Sequence, residues 1–315
     1  MNTENVKSTI AQIKANISKV VVGQSEAIDL LLIALVGRGH VLLEDVPGIG
    51  KTTLASTLAK SLSLYFNRIQ FTPDVMPSDI TGFNMYNPKE GEFQFQTGAI
   101  MANLVLADEI NRSSPKTQSS LLEAMQDRQV TVDGVTYKLP DPFMVVATQN
   151  AVEQIGTYPL PEAQLDRFMI KSNLRYPSVR EEMSIYELHA GYSPLDELQS
   201  VISLDDLQDI QNSAIEVYVA PALYEYVALL SRATRQHQHV KLGVSPRGAL
   251  MLVQAAKARA IIDGRDYVLP DDVQFLAPYT LAHRLILHSD AEFSDISEES
   301  VIRDVLKETP IPKQN

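Results

Sequence analysis

The sequence predicts an α/β protein, a parallel sheet covered by helices on both faces and followed by a helical part, and three observations predict it. Up to Tyr176, five short β-rich runs, near-continuously apolar, alternate with helical patterns; strands of that kind belong to a parallel sheet buried on both sides. One of these runs passes directly into a glycine-containing loop and then a helical pattern. Beyond Tyr176-Pro177 the β-runs stop, and apolar residues recur at three and four positions, the period of a helix.

The five runs are HVLLED (His40 to Asp45), FNRIQF (Phe66 to Phe71), NLVLAD (Asn103 to Asp108), FMVVAT (Phe143 to Thr148) and FMIKSNL (Phe168 to Leu174). Two segments between them alternate apolar and polar residues about turn signals and read as hairpins. GFNMYNPKEGEFQF, from Gly82 to Phe95, turns at Lys89, Glu90 and Gly91, and RQVTVDGVTYKL turns at Asp133-Gly134. Asp-Gly signals a type I′ turn, whose central residues both need positive φ. Tyr86, Phe93 and Phe95 either contact a substrate or neighbouring subunit, or pack locally. In the second part Ser203 precedes Leu204, Leu207 and Ile210, with Asp205 and Asp206 in the first turn, and Pro221 opens a run carrying Leu223, Val227 and Leu230. Ser245-Pro246 caps and starts a further helix, which Gly264 ends. A short helix from Glu298 to Lys307 closes the chain before Pro310 and Pro312. The expected division is residues 1–176 for the α/β core with both hairpins and 177–315 for the helical part.

With 315 residues, 45% of them apolar and 21% charged, the chain can bury a full core and is no disordered tail. Lys and Arg number 27 against 39 Asp and Glu, a formal charge of −12, which disfavours nucleic acid and anionic membranes as partners. The acidity is uneven: 15 basic against 18 acidic residues through Tyr176, then 12 against 21. The helical part therefore presents either a solvated acidic surface or a docking face for a basic partner. The chain has no cysteine, which excludes disulfides, zinc ribbons, thiol nucleophiles and iron–sulfur ligation. The first twenty residues lack the apolar centre of a secretory signal, and no apolar run is long enough to cross a bilayer. A cytoplasmic protein is expected. His237-Gln238-His239 has no acidic cluster near it in sequence and reads as a polar loop rather than a metal pair.

Chemistry concentrates in the first part. HVLLED leads into VPGIGKTT (Val46 to Thr53), and Leu54, Ala55, Leu58, Ala59 and Leu62 then mark a buried helical face. Such a loop aims successive N–H groups at an anion, where the helix dipole adds positive potential. Gly48 and Gly50 let the backbone approach phosphates, Lys51 reaches the β- and γ-phosphates, and the Thr52 hydroxyl suits Mg²⁺. The strict motif begins with glycine, but Asp45 stands there; Asp reaches unusual backbone conformations more readily than most residues. NLVLAD ends in Asp108-Glu109 at the sheet edge where parallel α/β proteins bind ligands. Asp108 can hold Mg²⁺ through water, and Glu109 can orient and deprotonate an attacking water. FMVVATQN brings Gln149 and Asn150 to the end of another strand, either as amides toward that water or the γ-phosphate or as turn formers. Arg167 in LPEAQLDRF and Arg247 in GVSPRGAL are each either structural ion-pairing residues or part of the site.

These strings together resemble the MoxR-type ATPases of the AAA+ superfamily of P-loop NTPases. The resemblance runs from VVGQ (Val21 to Gln24) through EDVPGIGKT, LADEINRSSPKTQSSLLEAMQDRQVTVDG, VVATQN and GTYPLPEAQLDRF to SPRGALMLVQAAKARA. It departs slightly at GAIMAN, in Ala99 and Met101, and Asp45 looks like a variant that MoxR proteins use. The resemblance implies a five-stranded parallel sheet with NLVLAD between the phosphate-loop strand and FMVVAT, and a small all-α lid after it. It implies that Val22 and Gly23 touch adenine, that Pro47, Gly48, Ile49, Gly50, Lys51, Thr52 and Thr53 hold the nucleotide, and that Thr52 and Asp108 hold Mg²⁺. Asn150 looks like sensor 1, Arg247 like the lid's sensor 2, and Arg167 like an arginine finger reaching the neighbouring subunit's ATP in a ring, expected to be a homohexamer. The hairpins look like the helix-2 insert and the pre-sensor-1 hairpin, which project toward a central pore. The implied activity is ATP hydrolysis driving chaperone-like remodelling of client proteins, with a partner bearing a von Willebrand factor A (VWA) domain. A nucleic-acid motor and a chelatase-like role in metal insertion are the alternatives.

Overall fold

The structure, a computed structural model, describes residues 2–45, 48–150, 156–188, 190–191, 193–292 and 296–311. Its strands are β1 (Val41–Asp45), β2 (Phe66–Gln70), β3 (Gly82–Asn87), β4 (Glu92–Thr97), β5 (Leu104–Asp108), β6 (Gln129–Val132), β7 (Val135–Lys138), β8 (Met144–Asn150), β9 (Ile170–Asn173), β10 (Val240–Leu242) and β11 (Ile286–Leu287). The five expected runs form one parallel sheet in the order β2-β5-β8-β1-β9.

That order corrects one expectation. NLVLAD does not lie between the phosphate-loop strand and FMVVAT; β8 lies between them, pairing Val41 with Val146 on one side and Leu104 with Met144 on the other. The described side chains of β1 are buried up to Leu43, β5 is buried throughout, and β8 nearly so, whereas β2 and β9 carry exposed positions and take the edges. Hydrophobic pattern thus separates interior from edge strands but cannot rank the interior ones. Two side chains at the strand starts mark the ranking. Asn103 accepts from the Tyr65 N–H at 3.2 Å and donates to the Pro142 carbonyl at 2.8 Å, tying β5 to both β2 and β8. His40 accepts from the Val145 N–H at 3.0 Å and pairs with the Met125 carbonyl at 3.2 Å, tying β8 to β1.

His40 is fully enclosed, and burial, with a smaller push from Arg128, lowers its pKa to about 4 against the weaker opposing pull of the Met125 carbonyl. An unfolded chain binds that proton near pH 6.5, so the contribution of His40 to stability is complete above pH 6.5 and is lost as pH falls toward 4, by on the order of 3 kcal/mol. Thermal midpoints are expected to fall from pH 7 to 4.5, with a shallower slope in His40→Asn; equal slopes would mean that His40 is not held neutral.

Both hairpins form. Asp133 and Gly134 have φ of 50° and 80°, as a type I′ turn requires. The two hairpins dock together: Phe95 stacks on Tyr137 at 3.8 Å between ring centroids, and Asn84 donates to Asp133 at 2.8 Å. Phe95 therefore packs locally, whereas Tyr86 and Phe93 meet edge to face and remain 52% and 72% exposed.

The segment past Tyr176 is helical, with its main helices at Val179–Leu188, Leu204–Ile215, Pro221–Gln236, Pro246–Ile262, Pro270–Leu281 and Glu298–Glu308. Ser203 and Asp206 form the reciprocal cap that their spacing predicts, and Ser245 caps Gly248 at 3.1 Å. A two-stranded ribbon of β10 and β11 is added, its strands too short to show any period in sequence. Among the described residues, no helix is long and apolar enough to cross a membrane.

Candidate nucleotide site

The helix Lys51–Ser61 follows β1 and buries Leu54, Ala55, Leu58 and Ala59 against the sheet. Gly50, its N-cap, sits at φ 86° and ψ 23°, and Gly48 also has φ 86°. Among the described residues a Cβ at either position would meet no atom within 4 Å beyond its chain neighbours, so the positive φ calls for glycine there. Pro47 and the side chain of Asp45 lie outside the described residues. Ile49, Thr52 and Thr53 are half-buried around the opening of the helix.

Lys51 Nζ lies 3.5 Å from Asp108 Oδ1, which joins the phosphate loop to the end of β5 across β8. Asp108 is 5% exposed and well bonded: the Thr148 hydroxyl donates to Oδ1 at 2.8 Å and Arg68 to Oδ2 at 2.6 Å. Burial alone would raise its pKa, but Thr148, Arg68 and Lys51 outweigh that and hold the carboxyl below its ordinary range. The same Thr148 hydroxyl accepts from the backbone N–H of Glu109 at 2.8 Å. Glu109 adopts left-handed backbone, φ 57° and ψ 48°, a strained state for this residue type. Gln70 donates to Glu109 Oε2 at 3.1 Å, and Arg112 Nη1 lies 3.1 Å from the same oxygen. Asn150 ends β8 opposite Asp45 and is buried, and the buried Oε1 of Gln149 has no hydrogen-bond partner among the described residues.

Beside the loop lies a cavity of about 350 Å³. Val20, Val21, Val22 and Gln24 form one wall, Gly48, Ile49, Gly50 and Thr53 the floor, and Tyr176, Pro177, Ile185 and Tyr186 the other wall. Val22, expected to touch adenine, lines this cavity. Gly23 packs beside it: its carbonyl accepts from Arg175 at 3.0 Å, and a Cβ there would come within 2.8 Å of Glu181. The wall from Tyr176 to Tyr186 was not among the expected site residues; its signal was the Tyr-Pro pair before an amphipathic helix, which says nothing about which loop that helix faces. Arg68 and Gln70 were missed as well, because polar residues on an edge strand look solvated in sequence, and so was Thr148, a buried hydroxyl on the interior strand β8 that no spacing ties to Asp108. A larger cavity of about 540 Å³ between β9 and the helix Pro270–Leu281 holds none of the expected residues.

Arg167 and Arg247 form a second group. Burial and then the nearby charge of Arg247 lower the pKa of Arg167, whose other charged neighbours are Asp127 and Glu123. The Ser245 hydroxyl, two residues before Arg247, lies 3.4 Å from the carboxylate of Asp166, the residue before Arg167.

Comparison with known proteins matches this geometry. Residues 40–170 match the family model described as "ATPase family associated with various cellular activities (AAA)", and residues 232–305 match the AAA lid domain. The chain is 50% identical over 311 residues to the Bacillus subtilis protein YeaC, covering 99% of this chain and 97% of that one. It is 43% identical over 308 residues to chaperone MoxR1 of Mycobacterium tuberculosis, covering 95% and 81%, and 31% identical over 332 residues to protein MoxR of Methylorubrum extorquens, covering 97% and 96%. A crystal structure from Cytophaga hutchinsonii, assigned as an ATPase, superposes with a TM-score of 0.93 at 42% identity, covering 99% of this chain and 97% of that one. With an AAA ATPase domain followed by an AAA lid, and with MoxR relatives matched over nearly the whole chain, the chain belongs to the MoxR family of AAA+ ATPases.

Proposed function

We propose that this ATPase works as a cytoplasmic ring, a homohexamer, that remodels or assembles client proteins with a partner bearing a von Willebrand factor A domain. The observation that carries the proposal is the Lys51–Asp108–Thr148–Glu109 cluster, which sets the lysine of the loop against the Asp108 carboxylate and fixes the Glu109 backbone on the hydroxyl that holds Asp108. Residues 1–176 form the ATPase core in this reading and residues 177–315 the lid. The loop amides from Gly48 to Thr53 and the Lys51 ammonium hold the phosphates, while Val22 and the Tyr176–Tyr186 wall enclose the base. Glu109 takes the proton of the attacking water, and Asn150 bonds the γ-phosphate. The oxygens of Asp108 and Thr52 are hard donors that fit Mg²⁺, and the low pKa of Asp108 keeps it ionised to receive the cation. A bound metal would neutralise charge on the phosphates.

Arg68 already pairs with the carboxylate that the metal needs. Its side chain is 45% exposed, so the pair is worth under ~1 kcal/mol. Arg68→Ala is expected to lower the Mg²⁺ concentration for half-maximal hydrolysis by about two- to fivefold; an unchanged or raised requirement would show that Arg68 does not compete with the metal.

Because Arg247 lies beside Arg167, both arginines are assigned to the same nucleotide, that of the neighbouring subunit. Client engagement falls to the hairpin tip, where Tyr86 and Phe93 are exposed and a single Lys89 is outnumbered by Glu90 and Glu92; that surface favours apolar protein segments over nucleic acid. The test is ATPase activity per subunit against protein concentration, followed with oligomer mass. Joint rise supports the ring; a concentration-independent rate from monomers overturns it. Stimulation by single-stranded DNA with salt-sensitive binding would transfer the motor to nucleic acid.

A further inference from the structure

We propose that Asp166 and Arg284 are positioning residues that lock Arg167 and Arg247 into one register, so that the finger and the lid arginine reach the neighbour's nucleotide as a unit. This rests on the reading that both arginines act across the subunit boundary.

Arg284 is a lid residue, at the end of the short turn Ala282–Arg284, with a side chain only 2% exposed. Its guanidinium donates through Nε to Asp166 Oδ1 at 2.9 Å and through Nη2 to the carbonyls of Asp166 and Phe168 at 3.2 and 2.6 Å. Those two carbonyls bracket Arg167. Nη1 donates back to the Thr280 carbonyl. The fork thus fastens the backbone on both sides of Arg167 to the lid.

The same guanidinium abuts the helix that carries Arg247. A Cβ on Gly248 would come within 2.5 Å of Arg284 Cδ and 2.7 Å of Nε, so only glycine, placed directly after Arg247, leaves room. Asp166 closes the other side, with the Ser245 hydroxyl 3.4 Å from both its oxygens while that hydroxyl also caps the helix at Gly248. Two residues before and one residue after, Arg247 is held by groups that also hold Arg167.

Burying a cation among cations is costly, and stability does not require it. Burial pushes the pKa of Arg284 down to about 10, Asp166 pulls it up, and Arg247 pushes it further down. Well-packed apolar residues commonly stabilise a junction as well as a buried ion pair does. What they cannot do is bind a carboxylate and three carbonyls in fixed directions, which needs the planar five-donor fork of arginine. The pair's contribution is therefore geometric: it holds two mutually repelling arginines where a transition-state charge would need them.

The experiment mixes subunits in equal amounts. Arg167→Ala with Lys51→Ala, the control, recovers about one quarter of wild-type activity, the share of interfaces left with both parts intact. Asp166→Asn and Arg284→Gln alone are expected to lower kcat on the order of 100-fold, as a small misplacement of a catalytic group does, with KM for ATP and binding of a fluorescent ATP analogue unchanged, since each subunit's own cradle is intact. Each is expected to recover activity with Lys51→Ala and none with Arg167→Ala, because the latter two defects lie on one face. If the control fails to recover, the shared-site reading itself fails, and this proposal with it. If the control recovers but Asp166→Asn retains wild-type kcat, fails with Lys51→Ala or recovers with Arg167→Ala, the positioning role is overturned and the shared-site reading stands. Should Arg284→Gln not fold, Asp166→Asn, whose side chain is 21% exposed, decides alone.

Discussion

Replacing Glu109 by Gln is expected to leave ATP bound and unhydrolysed. The substitution keeps the size and the hydrogen-bonding oxygen of the side chain but removes the lone pair that accepts a proton, and loss of a general base costs about a hundred- to ten-thousand-fold in rate. Binding is spared because the cradle is built elsewhere, from Gly48, Gly50 and Lys51. The local geometry supports the assignment: the left-handed backbone of Glu109 is held by its N–H on Thr148, which also orients Asp108, so the two carboxylates are placed by one hydroxyl yet serve different chemistry. Gln70 and Arg112 both meet Oε2 of its carboxylate, which leaves Oε1 to take the proton. Single-turnover hydrolysis and nucleotide retention after gel filtration measure the outcome. Hydrolysis within tenfold of wild type would reject Glu109 as the base. The same variant, loaded with ATP, is the bait that tests the proposed client and the proposed partner with a von Willebrand factor A domain.

Removing the guanidinium of Arg167 is expected to cost about a thousand-fold or more in kcat, the magnitude typical of a cation that meets charge developing on a transferring phosphoryl group. Arg167 suits that role, since it is part-buried, with a buried Nε that has no partner among the described residues, and feels the charge of a second arginine, Arg247. Such a group is costly to hold and gains most when an anion arrives. Arg167→Ala should therefore retain nucleotide affinity while losing turnover, and should lose the rise of activity with concentration that assembly confers. A loss of ATP affinity equal to the loss of rate would place Arg167 in its own subunit's cradle instead.

Much of this architecture was legible in the amino-acid order. The five runs, the αL glycines of the loop, the Ser203 and Ser245 caps and the Asp-Gly turn are local, each set by a residue's own backbone preference or by the period of burial. Arg68, Gln70 and Thr148 were not legible, since a polar residue on an edge strand or at a strand end looks the same whether it faces water or a carboxylate distant in the chain. The same holds for Arg284, which nothing near it in the chain distinguishes from a surface arginine.

The sequence by itself determined the element order, the phosphate loop, the acidic strand end and the family, because these depend on spacing along the chain. Only the tertiary structure decided that β8 stands between β1 and β5, that helix Val179–Leu188 lines the cavity beside the glycine loop, and that Asp166 meets both Arg284 and Ser245 between Arg167 and Arg247. The reason is physical: hydrophobic pattern says how deeply a segment is buried, whereas the choice among equally buried neighbours is made by a few long-range hydrogen bonds and ion pairs, from residues such as Asn103, His40 and Arg284, which leave no periodic trace.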